Sequence, residues 1–252
     1  MFLITLDGAL HRSPLAKDIH HVLDVGTGTG IWAIDFADKY PSAIVTGTDL
    51  SPIQPDYVPP NCRFYVENAE EEWSFDSPFD FIHTRMLVIA IRNWAGFFEQ
   101  AFASLKPGGY IELQDLNFPA RCDDGSAPAD SPVMVWSGHM MEAAQRIGVD
   151  LSISSTFPAL LNAAGFVDVK YETHSWPINK WPKEKKMKRL GTWAYQNFMQ
   201  GLHGFSMGFF TRVLEWKEDD VMALVGKAGE QARDLNSHVY MPISFFWAKK
   251  PE

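Results

Sequence analysis

The chain has 252 residues, a formal net charge of −9 and 46% hydrophobic residues. This length and apolar content allow one substantial core, and no change in composition marks a second domain, so we expect a single domain. The negative charge argues against a general binder of nucleic-acid phosphates, because that binding depends on clustered Lys and Arg. No apolar stretch approaches the length of a membrane span.

The cysteines and the first residues of the chain indicate the cellular compartment in which the protein resides. Cys62 and Cys122 form neither a disulfide framework nor a metal-binding set. Residues 1–7 lack a basic flank and a long apolar run, so we expect no secretory signal. We therefore expect a reduced, intracellular protein that is cytoplasmic, with the nucleus as the alternative location. The basic run 183–189 is interpreted as the solvated face of a helix.

The first half of the chain alternates short apolar runs with helix-like segments, the pattern of a doubly wound parallel α/β sheet. Pro107, Gly108 and Gly109 are expected to end the second of two helices. The proline-rich segment 52–60 is expected to cross the ligand-bearing edge of the sheet as an extended loop. The predicted strands are 21–25, 43–48, 62–66, 79–84 and 110–114, and the predicted helices are 31–40 and 94–105.

The second half changes character beyond Arg121. Residues 123–132 are rich in Asp, Ser and Pro and predict a surface loop, which helical and aromatic-rich segments follow. Two late strands are predicted at 166–175 and 238–249, with a helical insertion at 183–236 between them. We expect this insertion to form a substrate cover.

The most informative stretch is 22–30, where a buried strand enters a turn of small residues. Gly26, Gly28 and Gly30 lack the Cβ atoms that would block a ligand, and the helix that begins near residue 31 directs free N–H groups at the same place. Asp24 precedes the turn, and Asp49 ends the next strand where a ribose diol would bind. Nicotinamide, flavin and S-adenosylmethionine (SAM) sites share this pattern, and the spacing alone does not exclude NAD.

Further segments narrow this choice. Residues 22–30 resemble motif I of the class I SAM-dependent methyltransferases, and 105–111 is similar to the helix end, turn and fifth strand of that superfamily. Longer stretches resemble the fungal LaeA-like methyltransferases, a family associated with secondary metabolism and its regulation. The resemblance covers nearly the whole chain. The matching segments are 29–35, 47–55, 69–73, 79–85, 164–169, 181–183, 204–206 and 249–251.

The resemblance implies a Rossmann-like fold with a mainly parallel seven-stranded sheet, an antiparallel last strand and an aromatic-rich helical insertion over the active site. It divides the single domain 1–252 into a SAM-binding core at 1–120, helical cover segments at 121–165 and 177–237, and final strands at 166–176 and 238–250. It implies SAM as the cofactor and transfer of a methyl group to oxygen or nitrogen of a small molecule in fungal secondary metabolism.

The resemblance also implies a set of cofactor contacts. It places the glycines against the cofactor, Asp24 at the amino-acid end and Asp49 at the ribose hydroxyls. At the end of the third strand, Asn68 replaces the acid that the family often carries, and it keeps an acceptor for the adenine amine. The full set is Asp24, Gly26, Thr27, Gly28, Gly30, Asp49, Leu50, Asn68 and Ala69.

The catalytic candidates are His83 and Arg85, at the end of the fourth strand. His83 is a candidate general base or orienting group, because its pKa range suits deprotonation near neutral pH. The alternative is a histidine that caps the strand and touches only the cofactor. Arg85 would clamp an acidic acceptor or pair with a carboxylate. His139 and His203 are secondary candidates for a general base. Of the aromatic residues in the insertion, we expect Trp193, Phe198 and Phe209 to line the pocket. No cluster of residues has the spacing of metal ligands.

Two other functions stay open. One is a LaeA-like nuclear regulator that acts through protein partners, and the other is a cyclase or isomerase that keeps the fold without transferring methyl groups. Family members usually carry a further N-terminal segment before the part that matches residues 2–8. Because the chain begins inside this pattern, three outcomes stay open: an open SAM site with weak binding, a weak enzyme, or a protein whose binding surface serves another use.

Overall fold

The computed structural model describes residues 1–252 and contains one seven-stranded sheet. The strands are β1 (His21–Val25), β2 (Ile44–Asp49), β3 (Cys62–Val66), β4 (Phe79–Arg85), β5 (Leu105–Leu116), β6 (Val167–Pro177) and β7 (Tyr240–Lys249). Their order is β3-β2-β1-β4-β5-β7-β6. The pairings among β1 to β5 are parallel, and the last strand is antiparallel. The predicted doubly wound α/β fold is confirmed.

Seven α-helices accompany the sheet. They are α1 (Phe2–Thr5), α2 (Ile31–Lys39), α3 (Trp94–Ser104), α4 (Pro132–Arg146), α5 (Phe157–Ala163), α6 (Lys185–Ser206) and α7 (Glu218–Arg233). A 3-10 helix spans Ile153–Thr156, and a π-helical turn at Met207–Thr211 continues α6. The insertion between the last two strands is helical, as predicted, and it contains α6 and α7. None of the helices combines the length and apolar character needed to cross a membrane.

The contacts divide the chain into two compact units. The sheet unit comprises Ala9–Asp115, Ser155–Glu172 and Ser244–Glu252 and contains β1 to β5 with α2, α3 and α5. The helical unit comprises Met1–Gly8, Leu116–Ser154 and Thr173–Ile243 and contains α1, α4, α6 and α7. The single domain with the boundaries given above stays a prediction.

In the sheet unit, the packing of α2 on the sheet positions the turn that follows β1. Four residues of the helix at helical spacing, Trp32, Ala33, Phe36 and Ala37, are buried. The Trp32 and Phe36 rings lie 6.1 and 6.0 Å from the ring of Phe81 in β4. The N-terminus of α2 is therefore held at the carboxyl end of β1.

The start of β5 differs from the prediction. The strand begins at Leu105, before the Pro107-Gly108-Gly109 turn that was expected to precede it. Leu105 pairs with Phe79, and the ladder resumes at Tyr110 opposite Phe81, so the residues between them bulge out of register. The bulge is stabilised by a distant segment, because the Gly108 N–H donates to the carbonyl oxygen of Lys250 at 3.0 Å.

In the helical unit, polar side chains join α4 to α6. The indole Nε1 of Trp136 donates to the Oγ of Ser206 at 2.9 Å, and both residues are buried. Close packing also restricts α6 at Gly191, where an added Cβ would overlap the backbone carbonyl of Asn179. Both contacts limit which side chains these helix positions accept.

Candidate functional site

The glycine turn between β1 and α2 is built from left-handed backbone. Gly26, Gly28 and Gly30 have φ angles of 68°, 57° and 79°, which L-residues with a Cβ rarely adopt. The turn is fixed to β2 because the Thr27 N–H donates to the Thr48 carbonyl at 2.9 Å. Gly30 is the N-cap of α2, so the free N–H groups of the first helical turn lie at the end of this loop.

The three glycines have different surroundings. An added Cβ at Gly26 would collide with the side chain of Leu87, and one at Gly30 would collide with the Phe64 ring. At Gly28 an added Cβ would meet no atom within 4 Å. We expected all three glycines to make room for a ligand, and this stays a prediction; in the structure the Leu87 and Phe64 side chains lie against Gly26 and Gly30. Only Gly28 borders open space.

Asp49, the last residue of β2, fixes Gly28 by a hydrogen bond. Its Oδ2 accepts the Gly28 N–H at 2.8 Å, and its Oδ1 accepts the Ser51 N–H at 3.0 Å. Each carboxylate oxygen keeps a further lone pair after these bonds. The next residue, Leu50, is 67% exposed and presents an apolar surface beside the turn.

Asp24 lies in a closed polar network under the turn. Its Oδ2 accepts the Thr27 hydroxyl at 2.6 Å, and its Oδ1 lies 2.7 Å from Nδ1 of His83. Asp24 and Thr27 are 2% and 8% exposed. Three predicted site residues therefore meet, although none presents its polar atoms openly.

His83 lies inside β4 and is fully buried. Its ring stacks on Trp32 at 3.7 Å between centroids with an interplanar angle of 5°, and its Nε2 has no hydrogen-bond partner. Because the Asp24 carboxylate only accepts, Nδ1 carries the ring proton. Burial lowers the pKa of His83, and Asp24 offsets this only in part. A general base needs access to the acceptor, which this burial denies. The base role stays a prediction that this geometry does not support.

Arg85, at the end of β4, is directed at β5. Its Nε and Nη2 donate to Oε1 of Gln114 at 3.1 and 2.9 Å. Burial lowers the pKa of the Arg85 guanidinium to about 10, against the raising effect of Asp24 and Glu112. The side chain is still a cation at neutral pH.

Asn68 and Ala69 follow β3. The Oδ1 of Asn68 accepts the Glu70 N–H at 3.1 Å, and its Nδ2 donates to Oε1 of Glu71 at 3.1 Å. The Ala69 carbonyl accepts the indole N–H of Trp73 at 3.1 Å. The Asn68 amide therefore stabilises its own turn, while its oxygen keeps one lone pair for a ligand.

The remaining candidates belong to the helical unit. His139 lies 3.3 Å from Glu142 within α4, and His203 is exposed on α6. Of the aromatic candidates, Trp193 is 56% exposed, Phe198 packs on Trp136, and Phe209 lines a cavity of about 300 Å³. No group of three or more His, Cys, Asp or Glu side chains is arranged to hold a metal ion.

Two polar residues that the sequence analysis did not single out also hold the sheet unit together. Gln54 donates from Nε2 to the Gly28 carbonyl at 2.7 Å. Glu112 is a fully buried carboxylate in β5 that accepts the N–H groups of Arg12 and Ser13. The only sequence signal for Gln54 is its place in segment 47–55. Glu112 has none, because apolar and polar residues alternate around it, as in a strand with one exposed face.

Comparisons with known proteins agree with this architecture. A family model described as a methyltransferase domain matches residues 6–171. The methyltransferase pytC of Aspergillus terreus is 34% identical over 247 residues, covering 98% of this chain and 76% of the relative. The secondary metabolism regulator LAE1 of Cochliobolus heterostrophus is 35% identical over 258 residues, covering 100% of this chain and 84% of the relative.

A solved structure shows the same fold. Haemonchus contortus phosphoethanolamine N-methyltransferase 2, in complex with S-adenosyl-L-methionine, matches with a TM-score of 0.59 at 17% identity, over 95% of this chain and 50% of that one. This likeness concerns the fold alone. The family match and the two relatives above 30% identity show that the chain belongs to the methyltransferase-domain family and, within it, to the fungal LaeA-like methyltransferases.

Proposed function

We propose that this methyltransferase binds SAM at the carboxyl ends of β1 and β2 and transfers a methyl group to oxygen or nitrogen of a small molecule in fungal secondary metabolism. The observation that carries the proposal is the position of Gly28. Open space faces this residue, and a carboxylate on the neighbouring strand holds its amide. The relatives named as methyltransferase and regulator of secondary metabolism support the assignment of pathway class.

The groups around the turn fit the chemistry of SAM. The remaining lone pairs of Asp49 would accept from the ribose hydroxyls, and exposed Leu50 would cover the adenine ring. The free N–H groups at the start of α2 would bind the carboxylate of the amino-acid part. Asn68 and Ala69 would meet the adenine edge.

SAM would supply a methyl group bound to a positively charged sulfur: an oxygen or nitrogen nucleophile attacks the methyl carbon in line with the C–S bond, that bond breaks, and S-adenosylhomocysteine leaves. The chain contributes positioning, because such a reaction requires the reacting atoms to be held roughly 3–3.5 Å apart. We assign His83 a positioning role, in which its neutral ring holds Asp24 and through it Thr27. Arg85 is a cation that would orient an acidic acceptor.

Methyl transfer from radiolabelled SAM to a panel of phenols, carboxylic acids and amines tests the proposal. Asp49→Ala removes the acceptors proposed for the ribose hydroxyls, and a hydrogen bond to a charged group is worth about 1.5–3 kcal/mol. We expect its SAM affinity to fall at least tenfold, on the order of the loss of one such bond. Asp56→Ala is the control, because it removes the same charge from an exposed position in the same loop. Equal effects of the two substitutions, or no product with any acceptor, would contradict the proposal.

A second candidate function rests on the similarity to LAE1, a regulator of secondary metabolism. If this second function holds, the chain acts in the nucleus through protein partners. Restoring metabolite production in a fungal strain that lacks the gene separates the two functions. Asp49→Ala should fail to restore production if methyl transfer is required, and should restore it if partner binding suffices. The cyclase alternative predicts conversion of an acceptor without consumption of SAM.

A further inference from the structure

Gln54 connects the loop after β2 to the glycine turn after β1. Its amide nitrogen donates one proton to the Gly28 carbonyl at 2.7 Å and the other to the Ser51 carbonyl at 3.0 Å. The side chain is half-buried, and prolines at 52 and 55 restrict the backbone on both sides of it. The contact is therefore made by a stiff loop through a side chain that has both donors satisfied.

Together with Asp49, Gln54 holds both sides of one residue. Asp49 accepts from the Gly28 N–H, and Gln54 donates to the Gly28 carbonyl. Gly28 has no side chain that could restrain it by packing, and it faces open space. These two side chains supply the restraint that packing cannot give at this position.

Fixing the Gly28 carbonyl also fixes the next amide. In a trans peptide the C=O and N–H groups point in opposite directions, so the Thr29 N–H is turned away from Gln54. None of the backbone hydrogen bonds in the turn uses this N–H. It joins the free N–H groups at the start of α2 as a donor for a ligand.

We propose that Gln54 is a positioning residue for the cofactor, which sets the orientation of the Gly28–Thr29 peptide before binding. The inference rests on the proposed SAM site. The role requires two uncharged donors on one atom. Glutamine has them, an ionised glutamate has none, and a lysine would bring a positive charge towards a positively charged cofactor.

Calorimetric titration with SAM tests this role through Gln54→Leu and Gln54→Glu. Gln54→Leu should raise Kd about five- to tenfold, because one neutral hydrogen bond to the turn and one within its own loop are lost. Tyr57→Leu is the matched control, since Tyr57 is 96% exposed in the same loop. It should bind within about twofold of wild type, because an exposed substitution away from the site loses no contact.

The pH profile of Gln54→Glu separates positioning from a general loss of structure. At about pH 8 the carboxylate faces two carbonyl oxygens and should weaken binding more than leucine does. Towards pH 5 a protonated fraction regains one donor, so Kd relative to wild type should fall. The same ratio for Gln54→Leu should stay constant. A Gln54→Leu variant that binds as wild type does, or parallel pH profiles for the two variants, would overturn the inference.

Amide hydrogen exchange at Gly28 in the ligand-free chain keeps this inference separate from the proposed function. Wild type that fails to bind SAM refutes the proposed function, and the exchange rate then decides the role of Gln54. Faster exchange in Gln54→Leu than in Tyr57→Leu supports the role of Gln54 in restraining the backbone of the turn. Equal exchange in the two variants overturns it.

Discussion

The contrast between Gly28 and Gly30 gives a quantitative test of the site. Both residues have left-handed backbone, so alanine costs about 1–2 kcal/mol at either position. At position 28 the new methyl group meets no atom within 4 Å, and no further cost arises. At position 30 it collides with the Phe64 ring, which adds about 1–3 kcal/mol for overpacking. We therefore expect Gly30→Ala to be clearly the less stable variant.

Urea unfolding and SAM titration of the same two variants check this reasoning. Gly28→Ala should keep most of its unfolding free energy, yet bind SAM at least tenfold more weakly, because its methyl group occupies space that the ligand needs. Gly30→Ala should have the lower unfolding free energy of the two variants. The reasoning is refuted if the two variants unfold alike, or if Gly28→Ala binds SAM as wild type does.

Two further predictions concern His83 and the glycines of the helical unit. Because burial lowers the pKa of His83 in the folded chain, the unfolded chain takes up a proton first as pH falls below about 6.5, and stability declines there. His83→Asn should make the unfolding free energy fall less steeply between about pH 6.5 and 5, and an unchanged slope would contradict the burial argument. Gly191→Ala should destabilise by about 2 kcal/mol or more, since its Cβ overlaps the Asn179 backbone, whereas Gly226→Ala in α7 meets no atom and should stabilise by up to about 1 kcal/mol. Urea unfolding of both glycine variants measures this difference, and shifts in the same direction would be inconsistent with the packing.

Local patterns were sufficient to predict most of the sheet. The strands at 21–25 and 62–66 were predicted with the bounds that the structure has, because short runs rich in apolar and aromatic residues between turn residues mark strands. The start of β5 was not predictable in this way. It depends on a hydrogen bond between Gly108 and Lys250, which are distant in sequence.

The site shows the same division. The glycine turn and the acid of β2 were located from the sequence, because both are short motifs beside strands. The different surroundings of Gly26 and Gly30 depend on Leu87 and Phe64, which other parts of the sheet unit supply. The burial of His83 likewise depends on its stacking with Trp32 of α2. Such contacts arise from the tertiary fold and leave no local pattern.

The most direct test of the central claim is a calorimetric titration of the wild-type chain with SAM, with its demethylated product S-adenosylhomocysteine, and with NAD. A site built around Gly28 and Asp49 for methyl transfer predicts saturable binding of either sulfur nucleoside and no binding of NAD. Binding of NAD, or no binding of any of the three, would contradict the claim.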